Sequence, residues 1–184
     1  MSEALLLAIW FFLPAGIANT VPVFAVKIPV LKNFNAPLDF GITVGGTRLL
    51  GKNKTIRGLV CGIIVGILIV WIQQQIWIGN EAVRSVIRLD YSSLSPVILG
   101  TLLAAGALVG DAVESFFKRR SGIEPGRAWF PFDQTDYIIG GILMTLPYVQ
   151  LSILEYMLLF VIWFILHPIS TVAGYLLKLK DSPI

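Results

Sequence analysis

Four carboxylates are grouped in the second half of the chain, on either side of a short basic loop. They are Asp111, Glu114, Asp133 and Asp136. Acidic side chains are costly beside a membrane, where they usually face a pathway or a site. Carboxylate oxygens are ligands that Mg²⁺ prefers, together with waters and the phosphate oxygens of a substrate. We therefore predict that these four side chains bind Mg²⁺ and, through it, a polyphosphate.

Helical spacing would place the first two acids side by side. In a helix that continues to about Arg119, Asp111, Glu114 and Lys118 share one face. Glu114 and Lys118 could instead form an ordinary ion pair between adjacent turns. That alternative leaves Asp111 unexplained within apolar sequence, so we favour the metal interpretation for this residue.

The other two acids open the next predicted helix. An Asp at a helix start is a common cap, and capping alone would explain either Asp133 or Asp136. The two together, directly after a basic loop, favour contact with a metal ion or a substrate. We predict catalytic roles for Asp111, Asp133 and Asp136.

Basic residues accompany the acids in the same stretch. They are Lys118, Arg119, Arg120 and Arg127. Arg119 directly follows the acidic face of the helix, so we predict that Lys118 and Arg119 are catalytic residues that bind a phosphate group. The three arginines could also act only as positive anchors on the inner side of a membrane.

A second basic segment, GGTRLLGKNKTIRG, precedes another apolar stretch. Glycine lets the backbone approach an anion, a helix start presents free N–H groups, and Lys supplies a point charge to phosphate. The predicted substrate-binding residues here are Lys52, Asn53, Lys54, Thr55 and Arg57. The segment lacks the spacing of a P-loop. Taken alone, it could equally be a basic anchor at the membrane surface.

Apolar helices must position these groups. The chain has 184 residues, of which 56% are hydrophobic and 14% charged, a balance typical of membrane proteins. A spanning helix needs about 20 mostly apolar residues. We predict an all-α integral membrane protein with a single catalytic domain. Its five transmembrane helices are expected at about 4–26, 56–78, 96–117, 136–151 and 154–177.

The distribution of basic residues predicts the orientation. Six of the 14 Lys and Arg residues lie in the connection at about 27–55 or, as Arg57, just after it; four lie at about 118–135, and two, Lys178 and Lys180, lie in the C-terminal tail. Cytoplasmic segments carry such an excess. We therefore expect the N-terminus outside, the C-terminus in the cytoplasm, and the site at the cytoplasmic face of the cell membrane.

Two apolar segments carry further signals. The first contains Asn19 between Pro14 and Pro22; an Asn within a membrane needs a partner, so Asn19 could line a substrate cavity or make a helix–helix hydrogen bond. The second has glycines at four-residue spacing, a pattern that lets helices pack closely within one chain or across a homodimer. Asn80–Tyr91 is polar and is predicted to form a short helix at the outer interface.

These motifs together resemble a known family. ESFFKRRSGI, followed by an acidic segment that opens the next helix, is similar to the C-terminal signature of phosphatidate cytidylyltransferases, and GKNKTIRG is similar to their upstream Asn-Lys-Thr segment. The ending WFPFDQTD, in so short a chain, resembles the archaeal branch. Phe132-Asp133-Gln134-Thr135-Asp136 replaces the His-Gly-Gly segment of bacterial members, so no histidine role is transferred to His167.

The resemblance implies an enzyme that uses Mg²⁺ to transfer the cytidylyl group of CTP to an unsaturated archaetidic acid. The products would be a CDP-archaeol-type lipid and pyrophosphate. CTP and an isoprenoid glycerophosphate lipid would then be its partners, and nucleic acid is not expected. The alternatives are a phosphatidate cytidylyltransferase acting on fatty-acyl lipid and, in a different class, a small membrane transporter, which would carry polar residues at the midplane of broken helices.

Overall fold

Helices dominate the computed structural model, which describes residues 2–124 and 126–176. The elements within those residues are α1 (Ser2–Ala25), β1 (Thr43–Val44), β2 (Thr47–Arg48), α2 (Ile56–Gly79), α3 (Glu81–Val86), a 3₁₀ turn (Tyr91–Ser93), α4 (Pro96–Arg120), α5 (Phe132–Thr145) and α6 (Ile153–Leu176). The predicted all-α class therefore holds apart from one small hairpin. The tail with Lys178 and Lys180, and the last predicted residue of the fifth span, lie outside the described residues.

Polar caps determine where the central helices begin. The Thr55 hydroxyl accepts a hydrogen bond from the Gly58 N–H and so caps α2. The Ser95 hydroxyl caps α4 in the same way, and Pro96 occupies the first position of that helix, where its missing N–H is not needed. These caps explain why the predicted starts of α2 and α4 are confirmed.

Within the described residues, four helices are long and apolar enough to cross a membrane, namely α1, α2, α4 and α6. The fourth predicted span corresponds to α5, which has 14 residues and is about 21 Å long, shorter than the hydrocarbon core of about 30 Å. The chain nevertheless continues alongside α4 after α5 ends. Ser95 at the start of α4 donates its N–H to the Tyr148 hydroxyl at 2.8 Å.

Glycine faces bring α4 and α5 into backbone contact. A Cβ on Gly106 would lie 2.6 Å from the backbone oxygen of Gly140, and a Cβ on Gly140 would lie 2.9 Å from the Cα of Gly110. At Gly110 a side chain would collide with the backbone oxygen of Asp136. No residue larger than glycine fits this contact, which aligns the end of α4 with the start of α5.

The glycines of α2 are used within the chain. Gly58 packs against Pro22 of α1, Gly62 against Leu108 of α4, and Gly66 against Ala104 of α4. This face is therefore buried against α1 and α4, and it gives no support to the predicted homodimer.

Aromatic contacts attach α6 to the rest of the bundle. Trp163 packs on Gly16 of α1, and its indole N–H donates to the backbone oxygen of Ala8 at 3.2 Å. The Tyr137 hydroxyl of α5 donates to the backbone oxygen of Trp163 at 2.7 Å. Pro168 lies inside α6 about one turn later, and it has no N–H for the helical hydrogen bond. The carbonyl group that Tyr137 binds is therefore close to the position of that missing bond.

The connection after α2 forms a compact cover at the end of the bundle opposite to the carboxylates. The predicted short helix is present as α3, capped by the side chain of Asn80. The end of the predicted segment differs from expectation, because Tyr91 is fully buried. Its backbone oxygen accepts from the Gln74 side chain at 2.7 Å, so this end of the segment belongs to the core.

We predict that Gly140→Ala destabilises the protein by about 1–3 kcal/mol, the usual cost of overpacking. The added methyl would collide with the Gly106 backbone and force α4 away from α5. Gly79→Ala is the matched control, because a Cβ there meets no atom within 4 Å. Thermal unfolding in detergent measures both; equal unfolding temperatures for the two variants would contradict the packing described here.

Candidate active site

The carboxylates of α4 and α5 converge where the two helices are in backbone contact. Oxygen atoms of Asp111, Glu114 and Asp136 all lie within 4.8 Å of one another. Glu114 is buried, whereas Asp111 and Asp136 are half-buried. Three carboxylate oxygens from two helices can act together as ligands for one divalent cation. The predicted proximity of these three acids is therefore observed.

The fourth predicted ligand, Asp133, lies outside this group. It accepts a hydrogen bond from the Lys118 ammonium at 2.5 Å and another from the Trp129 N–H at 2.6 Å. Lys118 also lies 3.4 Å from Glu114. Asp133 is thus held by Lys118 beside Glu114, at the edge of the group that the other three carboxylates form.

Capping does not explain either acid of α5. The residue that caps this helix is Pro131, and no side chain bonds to the free N–H groups of its first turn. Asp133 instead binds the backbone before the helix. Asp136 accepts a hydrogen bond from the N–H of its neighbour Tyr137 at 2.6 Å. The alternative in which these acids are only helix caps is wrong.

A lysine from the first long connection reaches the carboxylates. The Lys54 ammonium forms an ion pair with Asp111. Burial alone would lower the pKa of Lys54, but the negative charge of Asp111 outweighs it, so the pKa lies above its ordinary value. Lys54 therefore stays charged beside the three carboxylates. The predicted link between the basic segment and the acids is present in the fold.

The other residues of the basic segment divide into two groups. Lys52 and Asn53 are exposed to solvent and remain free to meet a ligand. Thr55 caps α2, and Arg57 is buried with its guanidinium donating to the backbone oxygens of Leu31 and Lys32. Thr55 and Arg57 thus have structural partners that the sequence did not indicate.

Arg119 is buried without a counter-charge. Its residue exposure is 8%, its Nε lacks a hydrogen-bond partner, and no ion pair joins it to an acid in the described part of the chain. A buried unpaired charge is strongly unfavourable. This guanidinium is therefore suited to an anionic ligand, in line with the phosphate contact predicted for it.

Two side-chain amides border the same end of the bundle. Asn19 is half-buried in α1 and makes no hydrogen bond to the described residues, so the helix–helix bond considered for it is not observed. It lies one turn before Pro22, which packs on Gly58. Gln134 is 4% exposed and its Oε1 has no partner. No periodic signal distinguishes Gln134 from its polar neighbours in the sequence.

Two residues whose partners the sequence did not indicate organise the first connection. Asp39 is fully buried and binds Arg48 together with several backbone N–H groups. Arg120, considered above as a membrane anchor, donates to the backbone oxygens of Val44 and Arg48 at 2.8 and 2.9 Å. Asp39 stands two residues before Gly41, and this spacing is a typical turn signal. Its contacts with Arg48, Leu50 and Gly51 correspond to no recognisable pattern in the sequence.

Comparisons with known proteins identify relatives of this chain. The family model described as CarS-like, CDP-archaeol synthase, matches residues 1–184. A CDP-archaeol synthase of Methanospirillum hungatei JF-1 is 42% identical over 154 residues, covering 80% of this chain and 89% of the relative. A CDP-archaeol synthase of Pyrococcus furiosus is 36% identical over 177 residues, covering 96% of each chain.

One solved structure is also similar. It is described as an intramembrane enzyme for archaeal membrane lipid biosynthesis. Its TM-score is 0.70 at 30% sequence identity, and the match covers 90% of this chain and 92% of that one. The helical arrangement is thus shared with a known membrane enzyme.

We predict that Mg²⁺ or Mn²⁺ raises the thermal unfolding temperature of the purified protein, and that Asp136→Asn removes most of this increase. A ligand that binds only the folded state stabilises it by mass action, and Asp136 supplies one of three converging oxygens. Without the cation the variant should be at least as stable as the original, since one repulsive charge is gone. Asp90→Asn, at the opposite end of the bundle, is the control; an equal cation effect in Asp136→Asn would refute the assignment.

Proposed function

Because this chain belongs to the CarS-like family of CDP-archaeol synthases, we propose that it transfers the cytidylyl group of CTP to 2,3-bis-O-geranylgeranylglycerol 1-phosphate, an unsaturated archaetidic acid. The products are the CDP-lipid and pyrophosphate. The observation that supports this function best is the convergence of Asp111, Glu114 and Asp136 beside Lys54. Such an arrangement suits two polyanionic substrates that must meet at one point.

The chemistry requires no nucleophile from the protein. An oxygen of the lipid phosphate attacks the α-phosphorus of CTP, and the bond from that phosphorus to the bridging oxygen of the β-phosphate breaks. Pyrophosphate carries away the electron pair. Phosphoryl-type transfers of this kind depend on positioning and on neutralising negative charge. The charged residues described above are suited to both tasks.

The three carboxylates fit a hard divalent cation, and we assign Mg²⁺ to them. Each offers one oxygen, and the set leaves room for waters and substrate phosphate oxygens, as Mg²⁺ requires. When bound, the cation neutralises phosphate charge and aligns the reacting groups. Asp133 has a different task in this proposal. It holds Lys118 next to Glu114, so that the ammonium stays fixed at the edge of the site.

The remaining cations are assigned by their surroundings. Lys54, with exposed Lys52 and Asn53 next to it, is placed to meet the phosphates of CTP. Thr55 and Arg57 fix the backbone of that segment through the α2 cap and the contacts with Leu31 and Lys32. Arg119 binds the lipid phosphate or the leaving pyrophosphate, because either anion would neutralise its buried charge.

We place the site at the cytoplasmic face, with five passes through the membrane. The first connection with the start of α2, and the end of α4 with the loop after it, carry ten of the twelve Lys and Arg residues of the described chain, as cytoplasmic segments do. The fourth pass along the chain is α5 together with the turn that follows it, since the Tyr148 contact with Ser95 brings this segment to the far end of α4. Asn19 then lies at the same level as the charged residues and lines the cavity for substrate.

We expect the purified protein to release labelled pyrophosphate from CTP only when a lipid phosphate and Mg²⁺ are both present. Asp111→Asn should abolish this turnover while the protein remains folded, because a central carboxylate is lost. The isoprenoid-ether phosphate should be used faster than a fatty-acyl phosphatidic acid. Preference for the acyl lipid would favour phosphatidate cytidylyltransferase activity, and release of pyrophosphate without any lipid phosphate would contradict the proposal.

Arg119→Gln should lower turnover by about 10²–10³-fold, the usual effect of removing one donor from a developing charge. It should not lower the unfolding temperature, because a buried charge without a partner is removed. Arg127→Gln is the control, since Arg127 is exposed and should change neither quantity. An Arg119→Gln variant with full activity and reduced stability would assign Arg119 a structural role only.

A further inference from the structure

Asp39 is the centre of a hydrogen-bond network in the first connection. Its side chain has no exposure to solvent and forms an ion pair with Arg48. One carboxylate oxygen also accepts from the Gly41 N–H at 3.1 Å, and the other accepts from the Leu50 and Gly51 N–H groups, both at 3.1 Å. The single carboxylate therefore holds together three parts of the loop that are separated in sequence.

These contacts occupy the whole carboxylate. A carboxylate offers about four acceptor positions, and Arg48 and the three N–H groups fill them. Burial by itself raises the pKa of Asp39, but Arg48 and the N–H groups outweigh it and hold the pKa well below its usual range. Asp39 is thus a permanent anion with no oxygen left for a metal or a proton transfer. Its role must be exerted through the residues it binds.

The residues that Asp39 holds are those that direct Lys54 to the carboxylates. Gly51, bound by Asp39, accepts the Lys54 N–H at 3.3 Å, and Leu38, next to Asp39 in sequence, donates its N–H to the Lys54 oxygen at 2.8 Å. The backbone of Lys54 is therefore fixed on both sides by neighbours of Asp39. Its ammonium then reaches Asp111 of α4.

Phe40 has a strained backbone conformation, so the surrounding contacts must hold this part of the loop in place. Phe40 has a φ of +46°, a strained region that bulky residues rarely adopt. The side chain of Phe40 is 75% exposed, so no packing of its own offsets that strain. The contacts of Asp39 on either side of Phe40 hold the chain in this shape.

A second contact attaches the loop to the end of α4. The Arg120 guanidinium donates to the backbone oxygens of Val44 and Arg48, at 2.8 and 2.9 Å. Arg120 directly follows Lys118 and Arg119, which belong to the site. The first connection is therefore attached to α4 at two points, by the Arg120 contact with the hairpin and by the Lys54 contact with Asp111.

We propose that Asp39 is a positioning residue for nucleotide binding: its contacts with Arg48, Leu50 and Gly51 fix the 51–55 segment so that Lys54 meets the phosphates of CTP beside Asp111. This inference rests on the proposed function for the identity of the nucleotide. The placement of Lys54 by Asp39 is independent of that function and can be measured without turnover.

The first test measures the reactivity of the Lys54 amine towards acetic anhydride by mass spectrometry, in the protein without substrates. Lys52 is the internal reference, because it is exposed two residues away. In the original protein Lys54 should react more slowly than Lys52. In Asp39→Asn, the Lys54 rate should rise towards that of Lys52, whereas the Lys52 rate stays the same. An unchanged Lys54 rate would overturn the proposal even where the enzyme uses another nucleotide.

The second test separates positioning from a general loss of structure. Asp39→Asn should raise the KM for CTP by about tenfold, because charge-assisted hydrogen bonds that preorganise the loop are lost. The kcat at saturating CTP and the KM for the lipid phosphate should change by less than about twofold, since the carboxylates and Arg119 remain in place. An unchanged KM for CTP, or equal changes in all three constants, would overturn the proposal.

Two further variants keep the result interpretable. Asp90→Asn is the matched control, because Asp90 also binds backbone and hydroxyl groups of a turn, at 2.9 Å from the Ser92 N–H, but at the opposite end of the bundle; it should change neither readout. Arg120→Gln removes only the exposed tether of the hairpin, so it tests the same loop if Asp39→Asn folds poorly. It should shift both readouts in the same direction by a smaller factor, and the absence of any shift in it would count against the proposal.

Discussion

Repulsion between carboxylates is the constraint on which the site depends. The backbone contact between α4 and α5 leaves three carboxylate oxygens within 4.8 Å of one another. At an effective dielectric constant of 20, two like charges at that distance repel each other by about 3–4 kcal/mol. Lysine ammonium groups next to the carboxylates offset this repulsion in the folded protein. Lys54 pairs with Asp111, and Lys118 pairs with Glu114, so an arrangement that opposes folding becomes a strong site for a divalent cation.

The same constraint connects elements that are distant in sequence. The glycines of α4 and α5 determine how closely the acids approach, the first connection supplies Lys54, and Arg120 attaches that connection to α4. The other end, around Tyr91, carries Glu3, Glu81 and Asp90, but Glu3 is paired with Arg88, and no group of three converging acids lies there among the described residues. Charged groups therefore lie at the ends of a bundle whose outer surface is apolar, and the converging carboxylates lie at one of these ends. That distribution differs from the midplane polar residues of a transporter and agrees with an enzyme that meets CTP and a lipid at the membrane surface.

The sequence predicted the helices well because their signals are local. Apolar length and the polar caps Thr55 and Ser95 are properties of short segments, and the starts of α2 and α4 follow from them. The helical spacing of Asp111, Glu114 and Lys118 likewise required no tertiary information. Five spans could not be confirmed from length alone, because α5 is short and the chain completes that segment with a turn.

The remaining features depend on contacts that spacing does not encode. Asp133 and Asp136 look equivalent in sequence, yet the register of α5 on α4 turns Asp136 to the other carboxylates and leaves Asp133 with Lys118. The two strands of the hairpin have two residues each, too few for a period-two pattern. Apart from the Gly41 N–H, Asp39 finds its partners nine to twelve residues later, so the sequence near it does not indicate that it is buried.

The central claim is that carboxylates of α4 and α5 bind one divalent cation together with the nucleotide. Anomalous diffraction from crystals grown with Mn²⁺ and a CTP analogue that resists cleavage tests this directly. The account predicts an anomalous peak within bonding distance of Asp111, Glu114 and Asp136, and in contact with the phosphates of the analogue. A peak elsewhere in the bundle, or a bound nucleotide with no metal at these three residues, would contradict it.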